Sequence, residues 1–187
     1  MWDDGAPGAG LLLKHGGGYG ADGDGVHVTT FFTADTHFGH AGARALYRRP
    51  FATVAEMDEA MATRWNDTVG GDDEVWHLGD FAVRHPDPAA VLARLHGRKH
   101  LVTGNNDPDA VRALPGWASV SPYIELGVDG IALVLCHYAF RTWNGMSKGA
   151  LNLHGHSHGR LRPQTRQFDV GVDAWDFRPI TLQELKR

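Results

Sequence analysis

Leu153-His154-Gly155-His156-Ser157-His158-Gly159 sets three histidines at alternate positions between glycines. Alternate residues of an extended strand point to one face, so an extended segment would bring the three imidazoles together. Neutral imidazole is the commonest side-chain metal ligand, and a polar turn has little need of three. An expression tag would be a terminal run of consecutive histidines, which this internal segment is not. The segment reads as part of a metal site, and the search for its other ligands brings out the fold.

The chain has 187 residues, long enough for one domain with a real core. Hydrophobic residues make up 42% and charged residues 21%, the balance of an ordinary globular chain. A net charge of −4 argues against a dedicated duplex-DNA surface. The single cysteine, Cys136, rules out an intrachain disulfide and fits a reducing compartment. No apolar run reaches the length of a membrane span, and no basic region followed by an apolar stretch marks the N-terminus. Cytoplasmic residence without membrane association is the expectation. Histidine, with 12 copies, is the compositional outlier.

Residues 1–25 are glycine-rich (GAPGAG, HGGGYG, ADGDG) and read as an irregular extension. Residues 26–187 read as a single domain. A β-branched and aromatic run over 27–34 predicts a buried strand ending at Asp35-Thr36-His37-Phe38-Gly39-His40. An apolar stripe through Val54, Met57, Ala60, Met61 and Trp65 predicts a helix over 53–69, with Thr53 and Glu56 at capping-box spacing. A strand over 74–78 runs into Gly79-Asp80, and one over 99–103 runs into Gly104-Asn105-Asn106-Asp107. Short helices are expected over 88–95 and 108–114. This β-α-β-α-β-α order implies right-handed crossovers and parallel strands. Beyond Gly116, apolar runs over 123–128 and 131–136 flank Asp129-Gly130, a hairpin signal, and the second run leads into His137. Further strands are expected before the histidine segment and over 167–172. The pattern fits an α/β protein with mixed sheets and helices on the outer faces.

The strand ends supply Asp35, His37, Asp80, Asn105, His137, His156 and His158. Two carboxylates, one amide and four imidazoles suit borderline or hard divalent ions, and they exceed the needs of one tetrahedral metal. Each piece alone is common: DxH recurs by chance, and an asparagine in a turn is more often a turn former than a ligand. Their conjunction, each after a predicted strand and in one order, is specific.

That order, Asp35-x-His37, Gly79-Asp80, Gly104-Asn105-x-Asp107, His137 and Gly155-His156-x-His158, resembles the calcineurin-like metallophosphoesterase superfamily over about residues 30–175. The resemblance implies a four-layer α/β/β/α sandwich with mixed sheets. It implies two divalent metal ions (Mn, Fe, Zn or Ni, with Mn favoured for activity). Asp35, His37, Asp80 and His158 would hold the first, and Asp80 would bridge to a second held by Asn105, His137 and His156. The implied chemistry is phosphate-ester hydrolysis by a metal-bridging hydroxide, on a small phosphate ester or nucleotide.

One position departs from the family pattern. Where catalytic members carry a histidine after the asparagine, this chain has Asn106, and an amide cannot act as a general acid at neutral pH. Asn106 can still donate a hydrogen bond to a phosphate oxygen. His40 is the leading candidate for the missing acid, with His154 behind it or in a supporting role. A diester with a good leaving group needs the acid least, so a phosphodiesterase is the leading reading. A phosphomonoesterase and a non-catalytic metal-binding scaffold are the alternatives. Asp173 and Arg178 are expected to brace the histidine segment. Arg141, Trp143 and Lys148 read as an ordinary surface loop sooner than as a base-stacking and phosphate-holding group. Arg160, Arg162 and Arg166 read as a solvated face.

Overall fold

In the computed structural model the described residues are 28–186. The glycine-rich extension expected over 1–25 lies outside them.

Strand β1 (Thr30–Thr33) is followed by the short helix α1 (Ala41–Leu46), the long helix α2 (Val54–Thr68) and strand β2 (Glu74–His77). Then come α3 (Pro88–Arg94), β3 (Arg98–Val102), α4 (Asp109–Arg112) and β4 (Trp117–Ser121). Strands β5 (Tyr123–Val128) and β6 (Ile131–Cys136) form the expected hairpin. Asp129 and Gly130 both take positive φ (51° and 76°), the requirement of a tight two-residue turn that follows the strand twist. The chain closes with β7 (Leu151–His154), β8 (Gln167–Asp169), β9 (Ile180–Thr181) and α5 (Leu182–Leu185). Helix α2 begins where the sequence places it. The Thr53 side chain accepts from the Glu56 backbone N–H at 3.0 Å, while the Glu56 carboxylate takes the N–H of Ala52 instead of that of Thr53. Helix α1 and strand β4 were not expected. Each is short, and neither has apolar periodicity strong enough to stand out.

Two mixed sheets form the sandwich. The first runs β4-β3-β2-β1-β9, with β1 to β4 parallel and β9 antiparallel to β1. The second runs β5-β6-β7-β8, antiparallel in the hairpin and parallel beyond it. Alternation along the strands sorts the core. Phe31, Val75 and Leu101 face the helices, where they meet Met57, Met61, Trp65 and Leu92. Phe32, Trp76, Leu78 and Val102 face the second sheet and pack on Leu133, Leu135, Leu151 and Leu153. On the far face of the second sheet, Val134 packs with Trp143 and Ala150, and Phe140 and Met146 close over them. This outer layer is thin, a loop with one 3-10 turn at Met146–Lys148. The four-layer architecture is therefore present with its fourth layer reduced. Among the described residues no helix is long and apolar enough to cross a membrane.

Strands β1, β2, β3, β6 and β7 all end at one edge of the sandwich, where open α/β sheets gather their functional groups. A bridge between Ala34 and Gly171, with the Val172 N–H donating to the Ala34 carbonyl at 3.0 Å, joins the two sheets at that edge.

Candidate metal centre

The site is built from turns that leave their strands abruptly. Asp35 (φ 58°), His37 (49°), Asp80 (61°), His156 (66°) and His158 (49°) all lie in the left-handed region, which side chains other than glycine rarely occupy. Such conformations store of order 1–3 kcal/mol each and persist only where the surroundings enforce them. Here the surroundings are hydrogen bonds between turns. The Asp35, His37 and Phe38 N–H groups donate to the carbonyls of Gly79, Asp80 and Phe81 at 2.9, 3.0 and 2.9 Å. Asp107, buried, accepts from the N–H groups of Asp80 (2.9 Å), Phe81 (2.9 Å) and Gly104 (2.7 Å), tying the turn after β2 to the turn after β3. A Cβ at Gly155 would lie 2.6 Å from the Ala34 Cβ, so only glycine lets the histidine loop approach Asp35 this closely.

The histidine segment is not an extended strand. It leaves β7 at His154, and the left-handed His156 and His158 aim by turn geometry and not by strand alternation. His154 is buried, with Nδ1 2.8 Å from the Gly155 carbonyl, apart from the other two in role.

The seven residues singled out in the sequence converge. Ligand atoms of Asp35, His37 and His158 lie within 4.8 Å of one another, as do those of Asp35, Asp80 and His137. Asp80 Oδ2 is 3.6 Å from both His37 Nε2 and His137 Nε2, so its carboxylate stands between the two groups. Asn105 Oδ1 is 3.1 Å from His137 Nε2, and the His156 ring meets the His137 ring at 5.1 Å between centroids.

The donor chemistry fits divalent cations. His137 Nδ1 lies 2.7 Å from the Leu78 carbonyl oxygen, which only accepts, so Nδ1 carries a proton and Nε2 is the nitrogen turned inward. His158 Nδ1 likewise donates to Asp173 Oδ2 at 2.7 Å, leaving Nε2 for the site. His137 Nε2 lies 3.1 Å from Asn105 Oδ1, which also takes the Tyr138 hydroxyl at 3.4 Å. Asp35 Oδ1 and both ring nitrogens of His37 are buried with no hydrogen-bond partner among the described residues. Buried polar atoms are normally paired, and a cation would satisfy together Asp35 Oδ1 and the one His37 nitrogen that carries a lone pair. The titration behaviour agrees. Burial first, and then the Asp80 and Asp169 carboxylates, push the Asp35 carboxyl well above the ordinary carboxylate range. Burial holds His37 down to about 3 against the opposing pull of Asp80. Burial, and then His137, lower His156.

Asn106 engages Asp80 with both its amides. Its backbone N–H donates to Oδ1 at 2.8 Å and its side-chain Nδ2 to Oδ2 at 2.7 Å. His40 packs against His37 with 5.6 Å between centroids, and its buried Nδ1 has no partner among the described residues. Of the expected braces, Asp173 takes His158, whereas Arg178 is turned away to Glu184 at 2.7 Å. Trp143 is buried under the second sheet, its Nε1 donating to the Ala150 carbonyl, and is a core residue of the outer layer. Arg160 donates to the Leu46 carbonyl and lies 5.1 Å over the Tyr47 ring.

Three contributors went unread in the sequence. Tyr47 stacks on His158 with 3.3 Å between centroids. Asp169 accepts from Ser157 Oγ (2.9 Å) and the Gly159 N–H (2.8 Å), fixing the histidine loop from below. Arg49 is buried and bound to Asp173 and to the carbonyls of Asp35 and Thr36. In Arg48-Arg49-Pro50 nothing local separates it from an exposed basic residue. Asp107 stood inside the quoted block, its role visible only once three N–H groups are seen to point at it.

No protein-family model matches the chain. The gene 66 protein of Mycobacterium phage D29 is 31% identical over 178 residues, an alignment that covers 78% of this chain and 88% of that protein. The chain belongs to the gene 66 protein family. The gene 66 protein of Mycobacterium phage L5 is 28% identical over 187 residues, covering 78% of this chain and 87% of its own length. Among solved structures, a protein of unknown function from Aquifex aeolicus shares the fold, with a TM-score of 0.71 at 22% identity over 86% of this chain and 98% of that one. The expected mixed-sheet α/β sandwich is met in the fold, and the five motif blocks lie together at one sheet edge.

Proposed function

We propose that this gene 66 family protein is a metal-dependent phosphodiesterase acting on a small or nucleotide-type diester. Its two divalent cations would be held by Asp35, His37, Asp80 and His158, and by Asp80, Asn105, His137 and His156. The observation that carries the reading is the pair of buried groups without hydrogen-bond partners among the described residues, Asp35 Oδ1 and the His37 ring, beside the Asp80 carboxylate. Bound cations of this kind lower the pKa of water and offset charge on a phosphoryl group.

The chain's own residues divide the remaining work. Asn106 fixes Asp80, which stands between the two ligand groups. Its Nδ2 has a second N–H beyond the one given to Asp80, and that N–H is free to hold a nonbridging phosphate oxygen. His40 is the proposed proton donor to the leaving oxygen. Burial, Arg84 and Arg49 lower its pKa, so the free protein carries it neutral at pH 7. A phosphate anion beside it would favour the protonated form. A donor recruited in this way is weak, which favours diesters with good leaving groups over monoesters.

Metal analysis of the full chain should find about two divalent ions, and near-zero occupancy after reconstitution would sink the reading. Asp80→Ala should abolish manganese-supported hydrolysis of bis(4-nitrophenyl) phosphate, and full retained activity would remove Asp80 from the centre.

A further inference from the structure

Arg49 is one of the most enclosed charged side chains of the molecule. Left-handed Arg48 (φ 55°) turns the chain at the end of α1, and the Arg49 side chain, with no solvent exposure, runs inward between the Met57 and Met61 sulfurs at 3.7 and 3.9 Å. Burying a guanidinium is unfavourable unless its donors are satisfied, and here all bonds go to one place. Nη2 donates to the Asp35 carbonyl at 2.6 Å and Nη1 to the Thr36 carbonyl at 2.8 Å. Nε and Nη2 grip the two oxygens of Asp173 at 2.8 Å each. Asp173 in turn holds His158 Nδ1 at 2.7 Å.

We infer that Arg49 is a positioning residue for one metal subsite only, that of Asp35, His37 and His158. Its bonds fix the two peptide groups between the left-handed Asp35 and His37, and through Asp173 they fix the imidazole that arrives from the opposite sheet. One planar cation thus sets both halves of the subsite in register. Among the described residues it makes no hydrogen bond to Asn105, His137 or His156. The fork shape is what matters, since a lysine keeps the charge but cannot reach two carbonyls and both carboxylate oxygens at once. This inference rests on the two-metal reading above.

The test is chelator-buffered Co2+ binding to the full chain, followed by ion counting and visible absorption of the bound ion. Wild type should hold two ions, and failure to do so sinks the two-metal reading and this inference with it. Arg49→Lys should weaken one ion about 10–100-fold, the usual effect of removing a ligand's outer partner, and change its absorption band. The ion that remains should be the one lost when His156→Ala is added. Asp173→Asn, which breaks the fork from its other end, should give the same selective loss and covers the case in which Arg49→Lys does not fold. Arg178→Lys, on the Glu184 pair, should hold both ions as wild type does. A folded Arg49→Lys or Asp173→Asn protein that binds both ions normally, or weakens both equally, overturns the inference and leaves the two-metal reading intact.

Discussion

Asp35→Asn should stabilise the metal-free protein and destabilise the metal-loaded one. Asp35 is fully buried, its Oδ2 accepts the His156 N–H at 2.8 Å, and its Oδ1 has no partner among the described residues. Burial, reinforced by Asp80 and Asp169, raises its folded pKa well above the unfolded value near 3.9. Between those two values the folded state binds more protons than the unfolded state. The contribution of Asp35 is therefore fully present below about pH 3.9 and lost as pH rises through its folded pKa. Asparagine keeps an oxygen for the His156 N–H, removes the charge and offers Asp80 a donor. A gain of about 1–2 kcal/mol is in the range seen when a functional charge is removed. At about 2–4 °C per kcal/mol for a chain of this length, the melting temperature of chelator-treated protein at pH 7 should rise by about 2–8 °C. The rise should shrink towards zero as the buffer is taken to pH 4. With metal at 100 times its dissociation constant, each occupied site adds about 2.7 kcal/mol to wild type, which the variant forfeits at any site that needs Asp35. The order of the two melting temperatures should therefore invert on adding manganese. A metal-free Asp35→Asn protein that melts below wild type at pH 7, or a gain independent of pH, would refute the reasoning.

Asp107→Ala leaves three buried N–H groups without an acceptor; at about 1–3 kcal/mol for each unsatisfied group, with partial relief by water, urea unfolding should show a loss of about 3–5 kcal/mol. Trp143→Ala should cost about 3 kcal/mol of stability yet leave the KM for nucleotide diesters unchanged, since the ring packs on Val134 behind the second sheet. A raised KM at unchanged stability would return it to the substrate. Asn106→His should raise monoester hydrolysis relative to diester hydrolysis by about 100-fold, the low end of what a positioned acid contributes. An unchanged ratio in a paired assay would separate specificity from this position. His40→Gln should slow hydrolysis of alkyl diesters by about 100-fold while sparing nitrophenyl diesters, and equal loss on both would remove it as the acid.

The residues proposed as ligands were legible because strand ends are legible. A β-branched or aromatic run announces where a strand stops, and the first polar residues after it fall on the sheet edge whatever their exact register. That logic located Asp35, Asp80, Asn105 and His137 without knowledge of any contact. It failed for the histidine segment, where alternation predicted three converging imidazoles. The loop instead uses two left-handed residues to present His156 and His158 and keeps His154 in β7. Backbone handedness has only a weak signature in residue identity: aspartate and histidine enter the left-handed region more readily than most side chains, but nothing local says which copies do. Arg49 was hidden for a related reason. Whether a basic residue is exposed or buried depends on where its partners lie, and its Asp173 partner stands 124 positions away. The outer layer was misread in another way: Arg141, Trp143 and Lys148 read as an ordinary surface loop, whereas Trp143 is the buried core of a layer too thin to show helical periodicity.

Five left-handed residues in one site pose an energetic problem whose solution also explains the site's geometry. At about 1–3 kcal/mol each, strain on this scale would consume much of the roughly 5–15 kcal/mol by which a domain is stable unless it were confined and opposed. It is confined to the edge where the two sheets are pinned through Ala34 and Gly171. It is opposed by charge-assisted bonds to backbone. Asp107 takes three N–H groups, Asp169 takes those of Gly159 and Gly171, and Arg49 takes the carbonyls of Asp35 and Thr36. Hydrogen bonds to charged groups are the stronger kind, and each of these clamps grips the turns beside a strained residue. The same bonds that hold the strain in place fix where the ligand atoms sit before any cation arrives. A buried site in which Asp35 Oδ1 and the His37 ring lack partners among the described residues is then stable enough to persist and poorly enough satisfied to favour a cation. Removing a clamp should therefore lower stability and metal affinity together, as at Asp107, whereas removing a buried charge inside the site, as at Asp35, should move the two in opposite directions.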